Sequence, residues 1–187
     1  IAGVEMCWSY NRQYGTQFLA AMPTNLYGPG DNYDLENSHV IPALMRKMHE
    51  AKLNNSLAVS IWGTGLPKRE FLFSEDMAEA CLFLMNSQQG IIETLKSDDS
   101  PPLINIGSGK DLSIKELAEL IKDVVGFKGQ LVFDSSKPDG TARKLLDVSK
   151  LNNLGWKFSA SLPEGLNFAY EDFKTLLSIS KNQSLVN

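Results

Sequence analysis

Pro23-Thr24-Asn25-Leu26-Tyr27-Gly28-Pro29-Gly30-Asp31-Asn32, with His39 a short way behind it, is the stretch on which the reading of this chain turns. Ahead of it, Phe18-Leu19-Ala20-Ala21-Met22 is an apolar run of the length a buried strand needs. Pro23 cannot donate to a sheet ladder, so the pattern predicts a strand over 18–22 that stops there and opens into a loop. In open α/β sheets, ligands bind beyond the carboxyl ends of the strands, where loops present polar groups. A plain Gly/Pro turn is the competing reading.

Upstream, Val4, Cys7, Trp8 and Asn11 fall at helical spacing and Gly15 follows Tyr14, which predicts a helix over 2–14. Downstream, His39 to His49 reads as a second helix, with Pro42 in its first turn and Asn37 or Ser38 as its cap. His39 then stands at a helix start near the mouth of the loop, where the positive end of the helix favours anions. A structural or solvated histidine is the alternative.

Leu57 to Trp62 alternates as a strand. Gly63-Thr64-Gly65 behind it lacks the third glycine and the following helix of a nucleotide loop, so it reads as a turn. Arg69 enters the next apolar run, Phe71-Leu72-Phe73; it is either a fork for carboxylate or phosphate or an ordinary surface arginine. Ser74 to Met85 is an amphipathic helix with Glu75 and Asp76 matching its dipole, and 87–102 is a polar, broken surface loop. Leu103 to Lys110 is a strand and turn; Ile104 stands where a phosphate loop requires glycine. Ser113 and Glu116 form a capping box for a helix that Gly126 ends. Gln130 to Phe133 is a strand, and Lys137-Pro138-Asp139-Gly140-Thr141 a tight turn in which Asp139 needs no further role. A final helix opens at 162–166 and carries Phe168, Tyr170 and Phe173 as a core stripe, with a polar, frayed tail beyond Leu177.

With 187 residues the chain holds one domain, or one and part of another. A net charge of −4 without a basic stripe argues against nucleic acid. No run approaches the roughly 18 apolar residues of a membrane span, which leads to the expectation of a cytoplasmic protein with no membrane partner. Two cysteines far apart and two histidines suggest neither a disulfide framework nor a metal site. Ile1 opens in what reads as the middle of a helix, so the chain looks like the carboxyl-terminal part of a longer protein.

Four segments in this order closely resemble the GDP-L-fucose synthase family of extended short-chain dehydrogenases: Pro23 to Pro29, Asn37 to Leu44, Trp62-Gly63-Thr64-Gly65 with Arg69-Glu70-Phe71, and Lys137 to Thr141. The resemblance implies an α/β fold in which the last part of a Rossmann-like parallel sheet (1–31) is joined to a smaller α/β substrate-binding domain (32–177), with 57–86 packing back on the Rossmann part and 178–187 as a tail. It also implies an NADP(H)-dependent epimerase and reductase acting on a GDP-sugar, working as a homodimer. Pro23, Thr24, Asn25, Leu26 and His39 would lie against the nicotinamide end of the cofactor. His39 would also be the catalytic acid of epimerisation, and Lys47, Trp62, Arg69 and Asp139 would hold the GDP-sugar. Lys47 stands where the family often has Arg, keeping the charge without the bidentate fork. The family's glycine-rich loop, its Ser and its Tyr-x-x-x-Lys pair are not in this chain, and neither Cys7 nor Cys81 occupies the place of its catalytic cysteine; by its pattern the Lys would directly precede Ile1. The rival expectations are another nucleotide-sugar enzyme of the extended family and a non-catalytic nucleotide-sugar binding module.

Overall fold

A computed structural model describes residues 1–86, 95 and 100–184, with side chains to residue 179. In chain order its elements are α1 (Ala2–Tyr14), β1 (Ala20–Pro23), β2 (Asn25–Tyr27), α2 (Val40–Leu53), β3 (Ala58–Trp62), β4 (Lys68–Phe73), α3 (Ser74–Asn86), β5 (Leu103–Ile106), β6 (Asp111–Ser113), α4 (Ile114–Val125), β7 (Gln130–Asp134), β8 (Arg143–Lys144), α5 (Ser149–Asn153) and α6 (Leu162–Ser184). Most of the surface loop expected over 87–102, and the last three residues of the tail, lie outside the described residues.

Among the described residues, three small sheets carry the strands: β1 with β5, β3 with β7, and β2–β4–β6 with β8 also on β4. Every pairing is parallel except β4 with β6. The arrangement is α/β, with helices covering mainly parallel strands.

The strand does stop at Pro23, but it begins at Ala20 rather than Phe18. Pro23 pairs with Ile106, and one further bond, from the Thr24 N–H to the Ile106 carbonyl at 3.0 Å, follows it. The chain then changes sheets within one residue, and Asn25, Leu26 and Tyr27 pair with Phe71, Leu72 and Phe73. A proline tolerates this place because its missing N–H falls at the strand end. Much of what composition marks as loop is thus a corner between two sheets.

The helices follow their local signals more closely. Gly15 and Gly126 adopt the left-handed conformation that closes α1 and α4, and Ser113 and Glu116 form the expected capping box. At α2 the cap is His39, in extended conformation and without a side-chain cap bond, rather than Asn37 or Ser38. Asp76 is not a solvated dipole match. It is 1% exposed and accepts hydrogen bonds from the Ser159 N–H (2.7 Å) and hydroxyl (2.8 Å) and the Ala160 N–H (3.2 Å). Tyr170 and Phe173 are core residues, but Phe168 is exposed, and α6 remains helical past Leu177 to Ser184.

Two apolar cores result. The larger joins Met45 and Met48 of α2, Val59 and Ile61 of β3, Leu117 and Ile121 of α4, and Leu166, Tyr170 and Phe173 of α6. The smaller joins Leu72, Ala80 and Leu84 to Ile104, Ile106, Leu151 and Trp156. Gly165, in the first turn of α6, lets the helix lie against Tyr27; a Cβ there would stand 2.3 Å from Oη and 2.9 Å from Cζ. Farther along α6, Asp172 accepts the Gly30 N–H at 2.8 Å and the Ala169 carbonyl accepts the Tyr33 hydroxyl at 3.0 Å. Among the described residues no helix is long and apolar enough to cross a membrane, and no group of three or more His, Cys, Asp or Glu is placed to hold a metal ion.

Candidate functional site

Two clefts meet at Arg69, Val40 and Ile114. The first, of about 580 Å³, is walled by the start of α2, the end of β3, the turn after it and the 138–140 turn. Lys47, Trp62, Arg69 and Asp139 all line it, although they come from four separate segments. The second, of about 510 Å³, is lined by Thr24, Asn25, Leu26 and His39. Both volumes fall in the range usual for small-molecule sites. Pro23 is not among the lining residues; it is exposed at the end of β1.

Arg69 is placed by β4, in register with Leu112 of β6 and Lys144 of β8. Its Nη1 donates to the Lys68 carbonyl at 2.7 Å, and Nη2 lies beside Gly140, where a Cβ would approach to 3.0 Å. Trp62 ends β3 and is 68% exposed, with the ammonium groups of both Lys47 and Lys137 at 5.6 Å from its ring. Such distances allow cation–π attraction. A chain of net charge −4 therefore gathers three cations around one cleft. Lys137 opens one of the four segments quoted above, but no binding role attaches to it there, because a lysine in a tight turn looks like any solvated charge.

Asp139 is tied down rather than free. Its Oδ1 accepts the Thr64 N–H at 2.9 Å and Oδ2 the Thr64 hydroxyl at 2.6 Å. These bonds hold its carboxyl below the usual carboxylate range. The contact fastens the 137–141 turn to the turn after β3.

In the second cleft, Thr24 Oγ1 and Asn25 Nδ2 both donate to the Glu70 carbonyl, at 3.2 and 2.7 Å. His39 is exposed at the head of α2. Near it, burial pushes the Asp31 carboxyl up, against the opposing pull of the Asn32 N–H and of His39.

Glu70 also escaped the sequence reading. It is fully buried, and its carboxylate accepts from Gly109, Ser108 and Leu146. A glutamate leading into Phe71-Leu72-Phe73 was the available signal, since a charge in a buried strand needs dedicated partners.

Known proteins bear on this arrangement. The NAD dependent epimerase/dehydratase family matches over residues 1–107. This chain belongs to that family. Probable GDP-L-fucose synthase 1 of Oryza sativa subsp. japonica is 53% identical over 171 residues, covering 91% of this chain and 49% of the rice protein. A GDP-6-OMe-4-keto-L-xylo-heptose reductase from C. jejuni superimposes with a TM-score of 0.85 at 39% identity, over 94% of this chain and 59% of that one. A GDP-L-fucose synthetase from Naegleria fowleri, solved bound to NADP, does so with a TM-score of 0.81 at 30% identity, over 94% and 54%. The chain spans about half the length of the curated relatives it matches. The rice, C. jejuni and Naegleria fowleri proteins all bear names built on GDP-sugars.

Proposed function

We propose that this chain is the nucleotide-sugar-binding part of an NADPH-dependent enzyme that epimerises GDP-4-keto-6-deoxy-D-mannose at C3 and C5 and reduces it at C4, giving GDP-L-fucose. The observation that carries the reading is the convergence of Lys47, Trp62, Arg69 and Asp139 on one cleft that shares Arg69 with the cleft of His39. The names of the relatives support it.

In this reading Lys47, Arg69 and Lys137 answer the diphosphate, and Trp62 offers its face to a ring. Asp139 keeps its turn against the cleft. The 4-keto group acidifies the hydrogens on C3 and C5, so inversion needs a base on one face and an acid on the other. His39 is the acid, histidine being the side chain most often used for such proton transfer; its base, like the Tyr and Lys expected to serve reduction, belongs to the amino-terminal half. The second cleft is the place read for the nicotinamide end of the cofactor: Thr24 and Asn25, both engaged by the Glu70 carbonyl, line it beside the exposed Leu26 and His39. When bound there, NADPH supplies the hydride for C4. We read residues 1–31 as the remnant of the NADP domain and the enzyme as a cytoplasmic homodimer.

The test uses the full-length enzyme. Arg69→Ala raises the KM for the GDP-sugar about ten- to a hundredfold, the loss of a charge-assisted hydrogen bond. His39→Gln cuts epimerisation while reduction of an already epimerised substrate persists. Unchanged kinetics in both variants defeat the reading. The C. jejuni neighbour favours a second one, a GDP-keto-sugar reductase of different sugar preference; product analysis with a panel of GDP-keto-sugars separates the two.

A further inference from the structure

Glu70 is 0% exposed and follows Arg69 directly in β4. Its Oε1 accepts the Gly109 N–H at 2.6 Å and the Ser108 hydroxyl at 3.5 Å, and its Oε2 accepts the Leu146 N–H at 2.9 Å. Gly107 leaves room for the group: a Cβ there would stand 2.3 Å from Oε1. Gly109 lies just before β6 and Leu146 just after β8, the two strands that pair with β4 at Lys68 and Arg69. β8 is only two residues long, so its ladder alone is a weak hold. Ahead of it runs the turn with Lys137 and Asp139, which Thr64 also holds through Asp139, while the Lys68 N–H to the Ala142 carbonyl and the Arg143–Asp111 ion pair hold its end. The main-chain oxygen of Glu70 faces a different task, accepting Thr24 and Asn25 of the second cleft.

We propose that Glu70 is a positioning residue for the nucleotide-sugar cleft: its carboxylate fastens both strands flanking Arg69, and so fixes Arg69 and the wall that carries Lys137 and Asp139. The inference rests on the function proposed above. All three partners are donors, so a carboxylate satisfies them where an amide would turn N–H against N–H. Side chain and backbone serve different clefts, and a side-chain substitution separates them.

The experiment compares full-length wild type with Glu70→Gln. The KM for the GDP-sugar should rise about tenfold or more, because small misplacements of binding groups cost that much. The KM for NADPH should stay within about twofold, since the backbone bonds to Thr24 and Asn25 remain. Amide hydrogen exchange at Gly109 and Leu146 should quicken about tenfold. A simple loss of folded enzyme would lower the apparent kcat and move neither KM. If both KM values stay put, or both rise alike, or the two amides keep their protection, the proposal falls. Where E70Q does not fold, Glu70→Asp, which keeps the charge and withdraws it by one methylene, takes its place in the same split. Should the wild type not turn over GDP-keto-sugars, the function reading fails instead. Exchange at Gly109 and Leu146 together with the affinity for GDP then decides the role of Glu70: quicker exchange with weaker GDP binding upholds it, and no change in either overturns it.

Discussion

Helices α1 and α4 are almost equally long and end in the same left-handed glycine, yet they differ in what they touch. α4 buries Leu117, Ala118, Ile121 and Val125 and packs against α2 and α6. α1 buries nothing fully and leaves Met6, Tyr10 and Tyr14 exposed, with Phe18 beside them. Helical spacing is a property of the segment. Stabilisation comes from the partner the spacing faces, and only α4 has that partner within the described residues.

Unfolding measurements on the chain can break this contrast. Ile121→Ala, at a fully buried site, should cost about 2–5 kcal/mol in urea titrations. Asp76→Ala comes next, at roughly 1–3 kcal/mol, because the Ser159 and Ala160 donors lose the buried carboxylate that accepts them. Removing the α4 cap with Ser113→Ala should cost about 1 kcal/mol. The same cap carries a pH signature. The Ser113 hydroxyl and N–H hold the Glu116 carboxyl below its usual 4.5, so its contribution is complete above that pH and is lost as pH falls through the folded value. Wild type should therefore lose stability between roughly pH 5 and 3 more steeply than Ser113→Ala. Last, Met6→Ala should change stability by less than about 0.5 kcal/mol. A loss comparable to Ile121→Ala would mean that α1 is packed after all, and the contrast would be gone.

Local chemistry explains what the sequence makes legible. The capping box of α4 and the bounds of α1 depend on neighbours a few residues away, and both are read correctly. β6 and β8 escape because two or three residues carry no period; they are strands only because β4 lies beside them. Asp76 is misread because the partner that decides its role is more than 80 residues distant. The site divides in the same way. Spacing cannot group Lys47, Trp62, Arg69 and Asp139; the family resemblance groups them, and in the structure all four line one cleft. Lys137 and Glu70 lie within the segments that carry that resemblance, but a turn lysine and a strand glutamate look ordinary until Trp62 is seen beside the one and the Gly109 and Leu146 donors around the other.

The contact at Gly165 makes α6 a lever. The helix is about 34 Å long, and Gly165 in its first turn lies against Tyr27 and Phe73 of β2 and β4. Asp172 grips the Gly30 turn some 10 Å farther along, at a point from which the chain runs on to His39. Tyr27 is buried in the core, so a methyl group at residue 165 would press on its ring, push the helix from its fulcrum and tug the turn ahead of His39 from a distance.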